Sequence, residues 1–433
     1  MATSIPPAAQ QTSQVRAAAL SGFLGTMLEY YDYAVYGIAT ALVFGKLFFP
    51  DAGATGTLFA FSTFALSYIA RPLGAVIFGH IGDRFSRRDV LIATLVVMGL
   101  STFLIGCLPT WQQIGIAAPI VLVLLRLVQG LSLGGEASGS ASLIFEHAPE
   151  GRRGFFGSFT YSGVFAAGVL ASVVFIPVSA LPEDQLDSWG WRVPFWISLV
   201  ITIVALWIRR TLSEPEAFAE AKRSGDLAKL PLVEAFRTSW AGMLRVALTA
   251  IFVIVNTLVT VWALSYATGV HGLDRTAMLW FVGIASAIGA VMTPVYALLS
   301  DRVGRRWVFA GGALLSAGGL FAFFGAISAH NWLLIYLTGI LVYAVFFGAA
   351  QSVIPAFYSE QFPTRVRFTG YSIGLQIGVL LAGFTPMIAG ALTAADPMGW
   401  VPVALFALVV LVVAAATALT ARERAHSTIA EIG

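Results

Sequence analysis

Long apolar stretches recur from one end of the chain to the other, and each stops at a cluster of charges or at Gly and Pro. A helix needs about 20 apolar residues to cross a hydrocarbon core. On that measure the pattern predicts twelve spans, at 18–45, 55–80, 88–108, 117–145, 155–178, 192–210, 244–268, 276–299, 307–328, 332–358, 368–392 and 398–421. Residues 1–15 are dominated by Ala, Gln, Ser, Thr and Pro without a basic start, and the first span is too long and carries acids. No cleaved signal peptide is therefore expected.

Composition gives the class as a polytopic membrane protein. Of 433 residues, 58% are hydrophobic and only 11% are charged, against roughly a quarter charged in an ordinary soluble domain. Mean hydropathy is +0.84. Disorder, nucleic-acid binding and a disulfide scaffold are excluded, the last because Cys107 is the single cysteine. Charge then sets the orientation. Twenty of the 25 Lys and Arg fall on one side, three (Lys46, Arg192, Arg275) on the other, and two (Arg71, Arg126) inside spans. The expected location is the cell inner (plasma) membrane, multi-pass, with both termini cytoplasmic.

The longest polar stretch, Thr211 to Met243, falls between the sixth and seventh spans and reads as a linker. The expected organisation is a cytoplasmic tail 1–17, a six-helix bundle 18–210, a cytoplasmic linker loop 211–243, a second six-helix bundle 244–421 and a cytoplasmic tail 422–433. The halves repeat. Gly79-His-Ile-Gly-Asp83-Arg84-Phe-Ser-Arg87-Arg88 matches Ala297-Leu-Leu-Ser-Asp301-Arg302-Val-Gly-Arg305-Arg306 at an offset of 218 residues. Glu146-His-Ala-Pro149-Glu-Gly-Arg152-Arg153-Gly154 matches Glu360-Gln-Phe-Pro363-Thr-Arg365-Val-Arg367 at an offset of 214. Internal repeats of this kind are a signature of secondary transporters. The expected fold class is an all-α integral membrane protein of twelve transmembrane helices in two pseudo-symmetric six-helix bundles.

A paired loop of this type on a six-plus-six topology resembles the major facilitator superfamily over essentially the whole chain. Gly25-Thr-Met-Leu-Glu29-Tyr-Tyr-Asp32, Arg71-Pro-Leu-Gly74, Arg126-Leu-Val-Gln-Gly130 with Gly134-Gly135-Glu136, and the Glu146 loop resemble its metabolite:proton symporter family. That family includes shikimate, α-ketoglutarate, citrate and proline/betaine transporters. Tyr30 departs from a Trp usual in the family, and Ser86 and Ala297 from motif glycines.

Five ionisable residues lie at hydrocarbon depth, the acids Glu29, Asp32 and Glu136 and the bases Arg71 and Arg126. Each is costly there unless paired or facing water. At about 1.5 Å per residue, depth pairs Asp32 with Arg126 and Arg71 with Glu136. Glu29 shares the helical face of Asp32, which leaves one carboxylate more than the bases neutralise, a natural proton carrier. No His lies at that depth, so carboxylates are expected to carry any coupled proton. Static packing glue is the competing reading of these charges. Arg126 is the expected carboxylate partner of the substrate through its bidentate fork, with Arg71, Tyr33, Tyr36, Gln129, Asn256 and Gln376 as further substrate-binding candidates. The span-one tyrosines could cage a quaternary ammonium or simply pack. The glycines of spans four and eleven read as close helix approach.

The loop motifs have the chemistry of a cytoplasmic gate. Asp83 and Asp301 stand at helix ends among arginines, where charge-assisted bonds can form as the inner faces close. Arg84, Arg87, Arg88, Arg152, Arg302, Arg305, Arg306 and Arg365 are the expected donors, with Glu146 and Glu360 as acceptors. A purely topogenic role for these charges is the competing reading. A polytopic membrane enzyme, the alternative class, would need a nucleophile with its base, a metal cluster or a phosphate loop, and no His-x-x-His, Cys-x-x-Cys or Walker A pattern is present. Neither metal nor cofactor is expected. The expected function, with the substrate class drawn from the resemblance, is proton-coupled symport of a small organic acid into the cell by alternating access. The working unit is a monomer in the lipid bilayer, with substrate and proton as partners and no nucleic acid. Proton-coupled betaine or proline uptake is the alternative.

Overall fold

The computed structural model describes residues 8–84, 87–134, 144, 148–149, 151–211, 231–363, 366–394, 396 and 398–425. Its helices follow the hydrophobic segments. We number the long ones α1 (Ala8–Ala39, carried on through a π-helical Thr40–Phe44 to Phe48), α2 (Gly56–Arg84), α3 (Arg87–Cys107), α4 (Ala117–Leu133), α5 (Arg153–Ser179) and α6 (Val193–Thr211) in the first half. The second half holds α7 (Pro231–Ala250, carried on in short pieces to Val270), α8 (Arg275–Val303), α9 (Arg305–Ser328), α10 (Trp332–Ile340, carried on through a π-helical Leu341–Phe347 to Ser359), α11 (Arg367–Leu392) and α12 (Val401–Leu419). Helices α5 to α12 are long and apolar enough to cross a membrane by length and composition, and α3 and α4 carry the shorter apolar stretches Ile92–Gly106 and Ala117–Leu133. The architecture is two bundles of six, α1–α6 and α7–α12. We call the end where odd-numbered helices begin the near face and the other end the far face.

Helix α7 starts well before the expected residue 244. Pro231 suits the first turn, where no backbone donor is needed, and the helix breaks at Ser239 (φ −135°, ψ 21°) before entering the bundle. Phe236 and Trp240 beside that break are exposed, which places an apolar surface at the end of the span. Glycines let helices meet backbone to backbone where the sequence motifs are densest. A methyl on Gly130 of α4 would collide with the Ser67 carbonyl of α2, and one on Gly74 with that of Leu131. In α11, a methyl on Gly374 would lie 2.9 Å from the Met243 carbonyl oxygen of α7.

Two of the seams along which the halves touch bring together α5 with α8 and α2 with α11. In one, α5 lies against α8: Ser162 donates to the Ala290 carbonyl at 2.5 Å, and a methyl on Gly289 would meet the Phe165 ring at 2.7 Å. In the other, α2 lies against α11, where Ser62 Oγ donates to Met387 Sδ at 3.2 Å and Tyr68 packs on Gly383.

Candidate functional site

Helix α1 turns Glu29, Asp32, Tyr33 and Tyr36 toward α2, α3 and α4, and all four are buried. Their spacing of three, four and seven residues keeps them on one side of the helix. Arg71 of α2 and Arg126 of α4 are buried beside them. Tyr33 joins the two bases: its ring centroid lies 4.2 Å from the Arg71 guanidinium carbon and 4.6 Å from that of Arg126. Tyr68 covers Arg71 at 4.1 Å, Tyr36 covers Arg126 at 3.8 Å, and Phe64 stands 5.1 Å from Arg126. Arg71 Nε also donates to the Tyr33 hydroxyl at 3.2 Å. The tyrosine cluster is a cation cage, but the cations in it are the chain's own arginines, not a quaternary ammonium. Such contacts strengthen when desolvated.

The expected direct pair of Asp32 and Arg126 is corrected by the geometry. Arg126 Nη1 donates to Gln129 Oε1 at 2.5 Å, Gln129 Nε2 donates to the Thr102 hydroxyl at 2.7 Å, and Thr102 donates to Asp32 Oδ2 at 2.8 Å. Acid and base lie within electrostatic reach, but a hydroxyl and an amide stand between them. Rise along a helix sets a residue's height in the membrane but not which helix faces meet. The Thr102 hydroxyl has a second acceptor in the Met98 carbonyl at 3.0 Å. Nε and Nη2 of Arg126 and Nη2 of Arg71 are buried with no hydrogen-bond partner. An unpaired buried guanidinium edge is a receptor for a carboxylate. Glu136, the expected partner of Arg71, lies outside the described residues, and Arg71 is held by the Tyr33 and Tyr68 rings.

Asn256 and Gln376 are in the second half, on α7 and α11. Asn256 Oδ1 accepts from the Tyr343 hydroxyl at 2.7 Å, and buried Gln376 leaves its Oε1 unpartnered. Among the described residues, no hydrogen bond joins either to Arg71 or Arg126. Thr102, Tyr68 and Phe64 escaped the sequence reading. Phe64 and Tyr68 precede Arg71 by seven and three residues on the same side of α2, a helical spacing that could have found them; Thr102 gave no comparable signal.

At the near face the second-half motif forms a network between the halves. Asp301 Oδ1 accepts from the Gly154 amide and Oδ2 from the Phe155 amide, each at 3.0 Å, so a carboxylate at the end of α8 caps the start of α5. Arg305 binds Asp301 at 2.9 Å and Glu360 at 2.6 Å, an arginine fork on two buried acids. Burial pushes the Glu360 carboxyl up, against the pull of Arg305. Gly154 is required, because a Cβ there would lie 2.6 Å from Arg305 Nη1 and 2.7 Å from Asp301 Oδ1. Arg306 lies over the Trp307 ring, 5.2 Å from its centroid, with its amide donating to Glu423. Arg152 and Arg302 are exposed. Glu146 and Arg365, and the side chains of Asp83, Arg84, Arg87 and Arg88, lie outside the described residues.

The family model described as Major Facilitator Superfamily matches residues 22–373 and 270–432. The shikimate transporter of Escherichia coli (strain K12) is 36% identical over 418 residues, covering 95% of each chain. The proline/betaine transporter of Salmonella typhimurium is 34% identical over 432 residues, covering 95% of this chain and 84% of that protein. Among solved structures, a D-xylose-proton symporter superposes with a TM-score of 0.73 at 20% identity, covering 93% of this chain and 96% of that one.

Proposed function

Because the chain belongs to the major facilitator superfamily, a family of transporters and not of enzymes, we propose that it carries a small organic acid into the cell together with protons. One observation carries the choice of an anion: Arg126 is buried with its Nε and Nη2 unpartnered, while the tyrosine faces around it are occupied by guanidinium groups. The charge this site recognises is negative. A betaine would instead need those aromatic faces free. The shikimate transporter among the relatives handles a substrate of the class we propose.

In this reading the near face and both termini are cytoplasmic, as the Lys and Arg bias requires. The substrate carboxylate docks on Arg126, Arg71 adds a second positive charge, and Asp32 with Glu29 supplies the proton site. The near-face network of Asp301, Arg305 and Glu360 closes the inner side, and the halves rock about the site between them. Uptake of labelled shikimate, α-ketoglutarate, citrate, benzoate and betaine in transport-deficient cells tests it. Accumulation of one of the acids, abolished by a protonophore, is expected. Accumulation of betaine alone overturns the anion reading, and a strict sodium requirement overturns the proton one.

A further inference from the structure

Arg275 is one of three basic residues on the side opposite the near-face excess, so charge topology gives no reason for its position. The other two stay within the first half. Lys46 pairs with Glu183 at 2.5 Å and Asp187 at 3.3 Å, and Arg192 donates to the carbonyls of Gly106 and Leu108. Arg275 crosses between the halves. From the first turn of α8 its Nε donates to the Ser179 carbonyl at 2.5 Å and its Nη2 to the Leu181 carbonyl at 2.6 Å. The Ser179 and Thr276 hydroxyls add a bond of 2.9 Å beside it. Ser179 is the last residue of α5, so a cation sits on the carbonyl end of that helix, where the final carbonyls lack helical partners and the dipole is negative.

The other end of the same helix is held by the other end of the same partner. Asp301, in the last turn of α8, caps the first amides of α5. Between the clamps the helices are in close contact, with Gly168 on Ser286, Ser172 on Gly283 and Phe165 on Gly289. A seam packed that closely resists sliding. It can rock, and rocking opens one end at a time.

We propose that Arg275 is the far-face latch, the counterpart of Asp301: its two bonds to α5 hold the outer entrance shut and must break for that entrance to open. Both clamps are engaged in this structure, so the seam is closed at both faces. The inference rests on the transport reading only in taking the two halves to alternate, and its test involves neither substrate nor proton gradient. In the full-length protein carrying Cys107→Ser, a single reporter cysteine replaces Asn256, which is half-buried on α7. An impermeant maleimide is applied to right-side-out and to inside-out vesicles. Arg275→Gln should raise labelling from the outside roughly tenfold, the scale of one lost hydrogen bond to a charged group, and lower it from the inside. Asp301→Asn should do the reverse, and Arg275→Lys, which keeps the positive charge but on one nitrogen in place of the fork, should fall between wild type and Gln. Unchanged labelling, or a change of the same sign at both faces, overturns the latch.

Discussion

A single hydroxyl, that of Thr102, stands between the acid and the amide that occupies Arg126. With Asp32 ionised, Thr102 donates to it and accepts from Gln129, which fixes the Gln129 carbonyl on Arg126. Thr102→Val removes both roles without adding volume. It should lower the accumulation ratio of the substrate by roughly tenfold, since a hydrogen bond to a charged group is worth about 1.5–3 kcal/mol, and leave exchange down a gradient intact. Thr102→Ser should restore accumulation. If the Val variant concentrates substrate as the wild type does, the relay carries no coupling. The sequence identified both ends of this relay, because a charge at hydrocarbon depth is conspicuous against apolar neighbours. It singled out Gln129 but gave no notice of Thr102, because Thr is common in membrane helices and its partners lie on two other helices.

At the scale of the element, helix existence was legible from apolar length, whereas irregular turns were not. Thr40–Phe44, Leu258–Trp262, Tyr266–Val270 and Leu341–Phe347 are π-helical, and no Pro or Gly run marks them all. Such turns concentrate at functional segments. Helix α7 ends at His271, whose two ring nitrogens are buried without partners and whose ring meets Tyr266 at 4.7 Å and His330 at 5.1 Å. Burial first, and His330 second, hold the His271 pKa below its ordinary value. An unfolded chain would take that proton near pH 6.5, while the folded chain resists it. The folded state is therefore favoured above that pH, and its advantage shrinks as the pH falls through 6.5 and below. His271→Phe keeps the ring contacts and removes the titration. The fall in melting temperature of the purified protein between about pH 7.5 and 5.5 should be shallower in the variant by a few degrees. Equal falls would show that His271 stays uncharged without cost or that another group dominates.

For the whole molecule, the repeated loops divided the chain into halves, and the match between the Asp301 and Asp83 motifs drew attention to the near-face loops, where Asp301 bonds across to the first amides of α5. The far-face closure had no such repeat to announce it, since Arg275 binds main-chain carbonyls that leave no trace in residue identity. Coupling also belongs to this scale, because both acid and base sit in the first half while rocking involves both. An ionised Asp32 keeps Thr102, Gln129 and Arg126 bonded in series. Protonation makes Asp32 a donor to the Thr102 oxygen and leaves the Thr102 hydrogen to the Met98 carbonyl. The series then loses the charge that polarises it, the hold of Gln129 on Arg126 weakens, and Nη1 becomes available beside the unpartnered Nε and Nη2. In the proposed symport, proton and carboxylate therefore bind with positive coupling, each favouring the state the other needs. Asp32→Asn imitates the protonated acid permanently. Uphill accumulation and substrate-driven proton flux should be lost in proteoliposomes, while counterflow exchange of labelled acid survives. Arg126→Ala should abolish accumulation and exchange together. Should Asp32→Asn still concentrate substrate against its gradient, the proton site is not Asp32, and Glu29, one turn earlier on the same helix, takes its place.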